Sequence, residues 1–321
     1  VTVARVPVLA VVVVSYDTRE RTLACLRSVL RHGAGVTTRI VLVDNDSPDG
    51  TADAVERELP AVDVVRSGGN LGFARAVNLG VARSSSEYVL LLNPDTLVLP
   101  GSLRELLEFA RAHPEHGVYG GRTLREDGTL DPSSCWGEPS LWSLLSFALG
   151  LSTAFAGSRV FDPESLGRWA RDTVREVPIV TGCLLLVPRH EFERVGGMDA
   201  RFFLYGEDAE FSLRAARHGL RPVIVPDAEI VHAVGASTGE RGRKMAMVLA
   251  GKVTLLRISW SRPRALLGVR LLAAGTLLRS ALETVTRRSD RMWTRAWRDR
   301  RAWLPGYPAA ERALFSTGAP S

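Results

Sequence analysis

Cysteine is scarce in this chain: three in 321 residues, scattered at positions 25, 135 and 183. That number and scatter exclude a disulfide framework, and no Cys-x-x-Cys pair offers a zinc or redox site. A reducing cytoplasm is therefore the expected compartment. Lysine is scarcer still, with only Lys244 and Lys252 among 41 basic residues. Long apolar runs are missing too. The run Val8–Val14 is too short to span a bilayer, follows a single basic residue, Arg5, and lacks a small-residue cleavage site. It is expected to be a first strand. Arg270 interrupts the most apolar later stretch, Leu266–Leu278, so a spanning helix is not expected there either. No internal repeat or low-complexity tract occurs. No Gly-x-Gly-x-x-Gly follows the first strand, which excludes a dinucleotide-binding dehydrogenase. A glycine-rich, basic loop is also absent at that point, which argues against a nucleotidyltransferase.

What is present is ordinary in amount and uneven in placement. Apolar residues make up 45% and charged residues 24%, as in a soluble globular protein with one large domain and an appendage. The net charge of +6 hides a division. Residues 1–239 hold 24 arginines against 30 acids, whereas residues 240–301 hold 16 basic residues against 4 acids.

Strand and helix patterns alternate through the first half. Apolar β-branched runs predict strands at Val8–Val14, Arg39–Val43, Val62–Arg66 and Tyr88–Leu92. Helical spacing predicts helices at Arg21–His32, Thr51–Leu59, Phe73–Arg83 and Gly101–His113. Repeated βα units of this length imply a doubly wound, mostly parallel sheet flanked by helices. The pattern dissolves over 127–176, and loops that long commonly bind or cover ligands. It returns as a strand at Gly182–Val187, a helix at Glu207–His218, and strands at Arg221–Val225 and Glu229–His232. Beyond Gly239 the chain reads as helical and basic. The expected division is a domain over 1–239, with 127–176 as acceptor wall or lid, and a basic helical region over 240–321.

The polar residues that matter stand where strands stop. Ser15-Tyr16-Asp17-Thr18 closes the first strand and Asp44-Asn45-Asp46-Ser47 the second. In open α/β sheets ligands bind outside the carboxyl ends of the strands, so these groups suit a base and ribose; helix capping would use the same residue types. After the third strand, Gly68-Gly69-Asn70-Leu71-Gly72 opens a helix whose Asn78 lies about two turns from Asn70. Backbone at such a glycine-rich helix start can approach phosphate. The fourth strand ends in Asn93-Pro94-Asp95, either a solvated turn or a carboxylate placed to hold a divalent cation on a diphosphate. Further on, Phe202-Phe203-Leu204-Tyr205 precedes Gly206-Glu207-Asp208. That is an apolar floor beneath a general base, or acids complementing a helix dipole. His232 closes the last strand pattern.

In order and spacing, the set of motifs resembles glycosyltransferase family 2. It comprises Val-Ser-Tyr-Asp, Val-Asp-Asn-Asp-Ser, Gly-Asn-Leu-Gly-Phe-Ala-x-x-x-Asn, Asn-Pro-Asp, Thr-Gly-Cys-Leu-Leu-Leu-Val-Pro-Arg, Gly-Gly-Met-Asp-x-x-Phe-Phe-Leu-Tyr-Gly-Glu-Asp and His-Ala-Val-Gly-Ala-Ser. Within that family the chain is similar to the bacterial rhamnosyltransferase-like branch, over roughly residues 8–240. The resemblance implies a GT-A fold, a nucleotide-sugar donor with dTDP-rhamnose favoured, and inversion at the anomeric carbon. It implies that Ser15, Asp17, Asp44 and Asn45 hold the nucleoside, and that Asn70, Gly72, Asn78 and Asn93 line the donor site. Asp95 would hold Mg²⁺ or Mn²⁺, and His232 would add a further metal or diphosphate contact; Asp208 would be the base, supported by Glu207. Asn93 stands where many members carry a first Asp, one charge fewer at the metal. Asp95 and Asp208 are expected at one crevice.

The basic segment 240–301 reads as a membrane-surface element or as helices packed with a solvated basic face. Nucleic acid is not an expected partner, because the donor motifs give it no role. A tail on the inner leaflet would suit a polyprenyl-diphosphate-linked saccharide acceptor in cell-wall or surface-polysaccharide assembly. A soluble natural-product acceptor with another donor sugar is the alternative. A non-catalytic membrane-peripheral nucleotide-sugar-binding protein is the rival from a different class.

Overall fold

The computed structural model describes residues 7–232, 241–287 and 291–315. The β-branched and leucine runs form the strands β1 (Leu9–Ser15), β2 (Thr38–Asp44), β3 (Val62–Arg66) and β4 (Tyr88–Leu92). Next come β5 (Thr96–Val98), β6 (Tyr119–Leu124), β7 (Cys135–Trp136) and β8 (Arg175–Glu176). The last are β9 (Ile179–Val180), β10 (Leu184–Pro188) and β11 (Val223–His232). The helices up to the middle of the chain are α1 (Arg19–Arg31), α2 (Thr51–Glu58), α3 (Phe73–Ala82), α4 (Ser102–Ala112), α5 (Leu141–Ala148) and α6 (Leu151–Ala154). They continue as α7 (Arg189–Val195), α8 (Glu207–Arg217), α9 (Arg241–Ser259) and α10 (Arg262–Val285). Three short ones follow: α11 (Met292–Arg298), α12 (Arg300–Trp303) and α13 (Ala309–Phe315).

Two compact units emerge. One gathers the chain up to Trp136, Ala170–Asp199 and the stretch from Phe211 through the last strand; the other gathers Gly137–Trp169, Ala200–Glu210 and the helices from Arg241 onward.

The first unit is built on a sheet ordered β3-β2-β1-β4-β10-β6-β11-β5, with β8 on β11. Strands β3, β2, β1 and β4 pair in parallel, as the βα repeats require. Beyond them the sheet is mixed: β10 runs antiparallel to β4 and β6, β11 is parallel to β6, and β5 is antiparallel to β11. Alternation along β1 divides the core. Leu9, Val11 and Val13 join the cluster of Leu23, Leu26 and Val29 from α1 and Leu103, Leu106 and Leu107 from α4. Val12 points to the other face, against α3. There a Cβ on Gly80 would stand 2.6 Å from Val12 and 2.9 Å from Val43, so only glycine lets that helix lie so close.

The two strands expected at Arg221–Val225 and Glu229–His232 are one. Strand β11 runs through both, and its pairing with β6 shifts register between Val225 and Glu229. Pro226, which has no N–H to donate, sits in that shift, and an irregularity of this kind is where a strand tolerates proline. Opposite it, a side chain on Gly121 would collide with the Ala228 carbonyl.

In the second unit α10 packs on α5, α9 and α11, and α9 packs on α11, α12 and α13. Helices α9 to α11 occupy much of the segment expected to be helical and basic. The irregular stretch 127–176 contains β7, α5 and α6.

Candidate functional site

Parallel register brings strand ends together. Ser15 lies opposite Asp44, and Val13 opposite Leu92, so Asn93 and Asp95 follow at the same edge. The Ser15 hydroxyl donates to Asp44 Oδ1 at 3.2 Å, and the Ser47 amide donates to Asp44 Oδ2 at 3.2 Å. The Asp17 amide donates to Ser47 Oγ at 3.2 Å, tying the β1 and β2 loops. Asp17 and Asp46 both adopt left-handed backbone, with φ of 55° and 67°. Such a conformation in non-glycine residues carries strain of the kind that gathers at binding sites.

The amide side chains organise the glycine-rich loop. Asn45, buried, donates to Asn70 Oδ1 and to the Gly72 carbonyl, each at 3.1 Å, and accepts from the Leu71 amide at 3.0 Å. Asn70 Oδ1 also accepts from the Gly72 amide at 3.0 Å. Gly72, at φ 77°, then opens α3. Asn78 has both ends of its amide in use: it donates to the Met198 carbonyl at 2.8 Å and accepts from the Met198 amide at 2.9 Å. It thereby pins the Gly-Gly-Met-Asp turn to α3. Asn93 donates to Cys183 Sγ at 3.4 Å, and its carbonyl accepts from Thr96 at 2.6 Å.

Asp95 and His232 meet because β5 and β11 pair antiparallel, with His232 opposite Thr96. His232 Nε2 lies 3.3 Å from Asp95, and Nδ1 lies 3.4 Å from Asp131. Burial works against a charged ring, but the hydrogen bonds to Asp131 and Asp95 and their negative charge outweigh it and raise the pKa to about 9. Asp131 is buried and also accepts from the Ser133 amide at 3.0 Å. Its carboxyl is held below the ordinary range: burial pushes it up, but the His232 hydrogen bond and the Ser133 contacts prevail.

The donor set suits a hard cation. Asp95 supplies carboxylate oxygen; His232, whose pKa the two carboxylates raise to about 9, would have to release its Nε2 proton to ligate, with Asp131 holding the other nitrogen. Diphosphate oxygens and water would complete a Mg²⁺ or Mn²⁺ shell. Among the described residues no group of three or more His, Cys, Asp or Glu forms a cage by itself.

In the helical unit, the turn before α8 is tightly held. Tyr205 and Gly206 are both left-handed, with φ of 68° and 98°. A side chain on Gly251 of α9 would collide with the Tyr205 carbonyl, so helix and turn meet backbone to backbone. The Tyr307 hydroxyl donates to the Leu204 carbonyl at 2.6 Å from the far end of the chain. On this turn Glu207 is buried, and its Oε2 has no hydrogen-bond partner among the described residues. Burial, and then the neighbouring Asp208 charge, push its pKa up to about 8, against the pull of its own backbone N–H. Burial thus favours the neutral form of the Glu207 carboxyl. Asp208 is only half-buried, and its Oδ1 accepts from the Ala209 amide at 2.7 Å.

Sequence reasoning missed Asp131, Gly251 and Tyr307. Asp131 lay in a stretch without periodicity, and nothing local marks the other two. Of the motif His232–Ser237, all residues after His232 lie outside the described residues.

A partly parallel sheet, polar groups at its strand ends and a carboxylate just past β4 are the arrangement expected of a GT-A glycosyltransferase. The description "Glycosyl transferase family 2" matches residues 10–160, and "N-terminal domain of galactosyltransferase" matches residues 172–235. The N-acetylglucosaminyl-diphospho-decaprenol L-rhamnosyltransferase of Mycobacterium tuberculosis is 32% identical over 72% of this chain and 78% of its own length. Rhamnosyltransferase WbbL of Escherichia coli is 27% identical over 52% of this chain and 62% of its own. In fold, the mannosyltransferase PcManGT from Pyrobaculum calidifontis, solved with GDP-Man and Mn²⁺, superposes with a TM-score of 0.58 at 20% identity, covering 98% of this chain and 89% of that one. GalNAc-T7 with UDP, GalNAc and Mn²⁺ gives 0.54 at 15% identity, covering 78% of this chain and 48% of that one. The chain belongs to glycosyltransferase family 2 and is a rhamnosyltransferase-like enzyme of that family.

Proposed function

We propose that the protein transfers L-rhamnose from dTDP-rhamnose to a hydroxyl of a polyprenyl-diphosphate-linked saccharide, with inversion, in cell-wall or surface-polysaccharide assembly. The observation that carries this reading is the 32% identity to a mycobacterial enzyme whose name states a lipid-diphosphate acceptor and a rhamnosyl donor group. The proposed place is the inner face of the cell membrane, where segment 240–301 would contribute basic charge.

The roles follow from the chemistry. Ser15, Asp17, Asp44 and Asn45 offer hydrogen bonds to base and ribose at the ends of β1 and β2. Asn70, Gly72, Asn78 and Asn93 set the loops along the donor. Asp95 and His232 would hold Mg²⁺ or Mn²⁺, which when bound supplies Lewis-acid stabilisation of the leaving diphosphate. Asp131 keeps the His232 ring turned toward Asp95. Asp208 takes the proton of the acceptor hydroxyl as its oxygen bonds to the anomeric carbon. The bond from that carbon to the diphosphate breaks on the opposite side, and the electron pair leaves with the nucleotide. Burial of Glu207 favours its neutral form, which limits the negative charge beside Asp208. Domains over 1–239 and 240–321, with 127–176 shaping the acceptor side, complete the proposal.

Incubating purified protein with a panel of nucleotide sugars, with and without Mn²⁺, tests this reading. Turnover of dTDP-rhamnose above all other donors is expected. Preference for another donor would overturn the rhamnose assignment, and no turnover of any would leave a binding protein.

A further inference from the structure

Helix α10 buries polar residues alongside Ala265, Val269 and Leu272 and exposes several apolar ones on its other side. Its buried positions include Gly268, Gly275, Thr276, Arg279, Ser280 and Glu283. Thr276, Arg279 and Glu283 are hydrogen-bonded within the helical unit. Arg279 donates to the Phe147 carbonyl at 2.6 Å and to Thr153 Oγ1 at 2.8 Å. Glu283 accepts from the Trp293 and Thr294 amides at 3.1 and 2.8 Å, capping α11. Gly268 and Gly275 admit close neighbours; a side chain at 275 would collide with the Phe147 ring.

The outward positions recur at helical spacing: Pro263, Leu267, Arg270, Ala274, Leu277, Ala281 and Val285, flanked by Leu266 and Leu282. Leu266 and Leu282 are each 52% exposed, Leu277 is 46% and Val285 80%. From Leu266 to Val285 this apolar stripe extends about 28 Å along the helix. By length and composition α10 is apolar enough to cross a bilayer, but its other face is committed to α5, α9 and α11. That leaves one apolar face to be covered.

We infer that this face of α10 lies in the interfacial layer of an anionic membrane, as a one-sided docking surface for lipid. Charge selects the occupant. Exposed Arg262 and Arg264 stand at one end of the stripe, Arg287 and Arg291 beyond the other, and Arg270 within it. Arginine stems reach along apolar surface while their heads meet lipid phosphates. A second copy of the chain would bring two strongly basic segments together, each with 16 basic residues and 4 acids over 240–301, and like charges repel. The inference deepens the proposed function, because a polyprenyl-linked acceptor would be met at that surface.

Flotation of the full chain with vesicles tests it. Wild-type protein floats with equal mixtures of phosphatidylglycerol and phosphatidylcholine and less with phosphatidylcholine alone. The Leu266→Ser/Leu277→Ser/Leu282→Ser variant loses about tenfold or more in partitioning, with melting temperature and dTDP-rhamnose hydrolysis unchanged. If that variant does not fold, Arg262→Gln/Arg264→Gln/Arg270→Gln carries the test, and loss of its preference for anionic vesicles supports the surface. Equal vesicle binding by variant and wild type overturns the inference. So does a wild-type dimer that dissociates in the leucine variant and binds no vesicle. Vesicle binding without donor turnover would leave the surface standing and sink the proposed reaction.

Discussion

Strands β1 and β4 of the sheet unit are buried along their whole length, and polar side chains gather only where the strands stop. Helix α10 of the helical unit does the reverse, keeping Arg279 and Glu283 inside and turning Leu277, Leu282 and Val285 outward. On the proposed reading the difference lies in what each outer surface meets: the strand ends water and a polar nucleotide, the outward face of α10 the interfacial layer of a membrane.

The comparison breaks first at the chemistry. Asp208→Asn should cost at least about a hundredfold in kcat, the lower end for removing a general base, while calorimetry shows unchanged donor affinity. Near-wild-type turnover would remove the base assignment. Asp131→Asn comes next. It weakens the acceptor of His232 Nδ1 and should reduce Mn²⁺-dependent donor affinity by about 10–100-fold, with metal-free affinity little altered. An equal loss with and without Mn²⁺ would mean that Asp131 only supports the fold.

A further effect is on stability. The folded-state pKa of Glu207 is raised above its unfolded value of 4.5 to about 8. Between those values the folded chain holds a proton that the unfolded chain has lost. Its contribution is therefore complete below about pH 4.5 and is lost as pH rises through about 8. Urea unfolding should show a wild-type decline of at most about 1.4 kcal/mol per pH unit in that window. Glu207→Gln should flatten it, and an unchanged slope would mean that the buried carboxyl does not titrate there.

Much of the sheet unit was readable because its signals are local. The apolar runs marked β1 to β4, and the helical spacing marked α1 to α4, within a few residues at each end. Pro226 and Asp227 split β11 on paper, because a bulge looks like a strand break until its partner β6 is seen. The antiparallel insertion of β10 was unreadable, since a run such as Leu184–Val187 carries no direction. The residues around Asp95 divide the same way. Asp95 and His232 stood out at the ends of apolar runs, whereas Asp131 meets His232 from 101 positions away and carries no local mark. The raised pKa of Glu207 comes first from its burial, which its sequence neighbours do not announce. Leucines and arginines in α10 were plain from the start. Which of them face inward is decided by the glycines that let α5 approach, and only packing shows it.

The most direct test of the central claim is the anomeric configuration of the product formed from dTDP-rhamnose and a polyprenyl-diphosphate saccharide, read by nuclear magnetic resonance. A new glycosidic bond of configuration opposite to the donor is predicted. Retained configuration, or free rhamnose with no coupled product, would contradict the account.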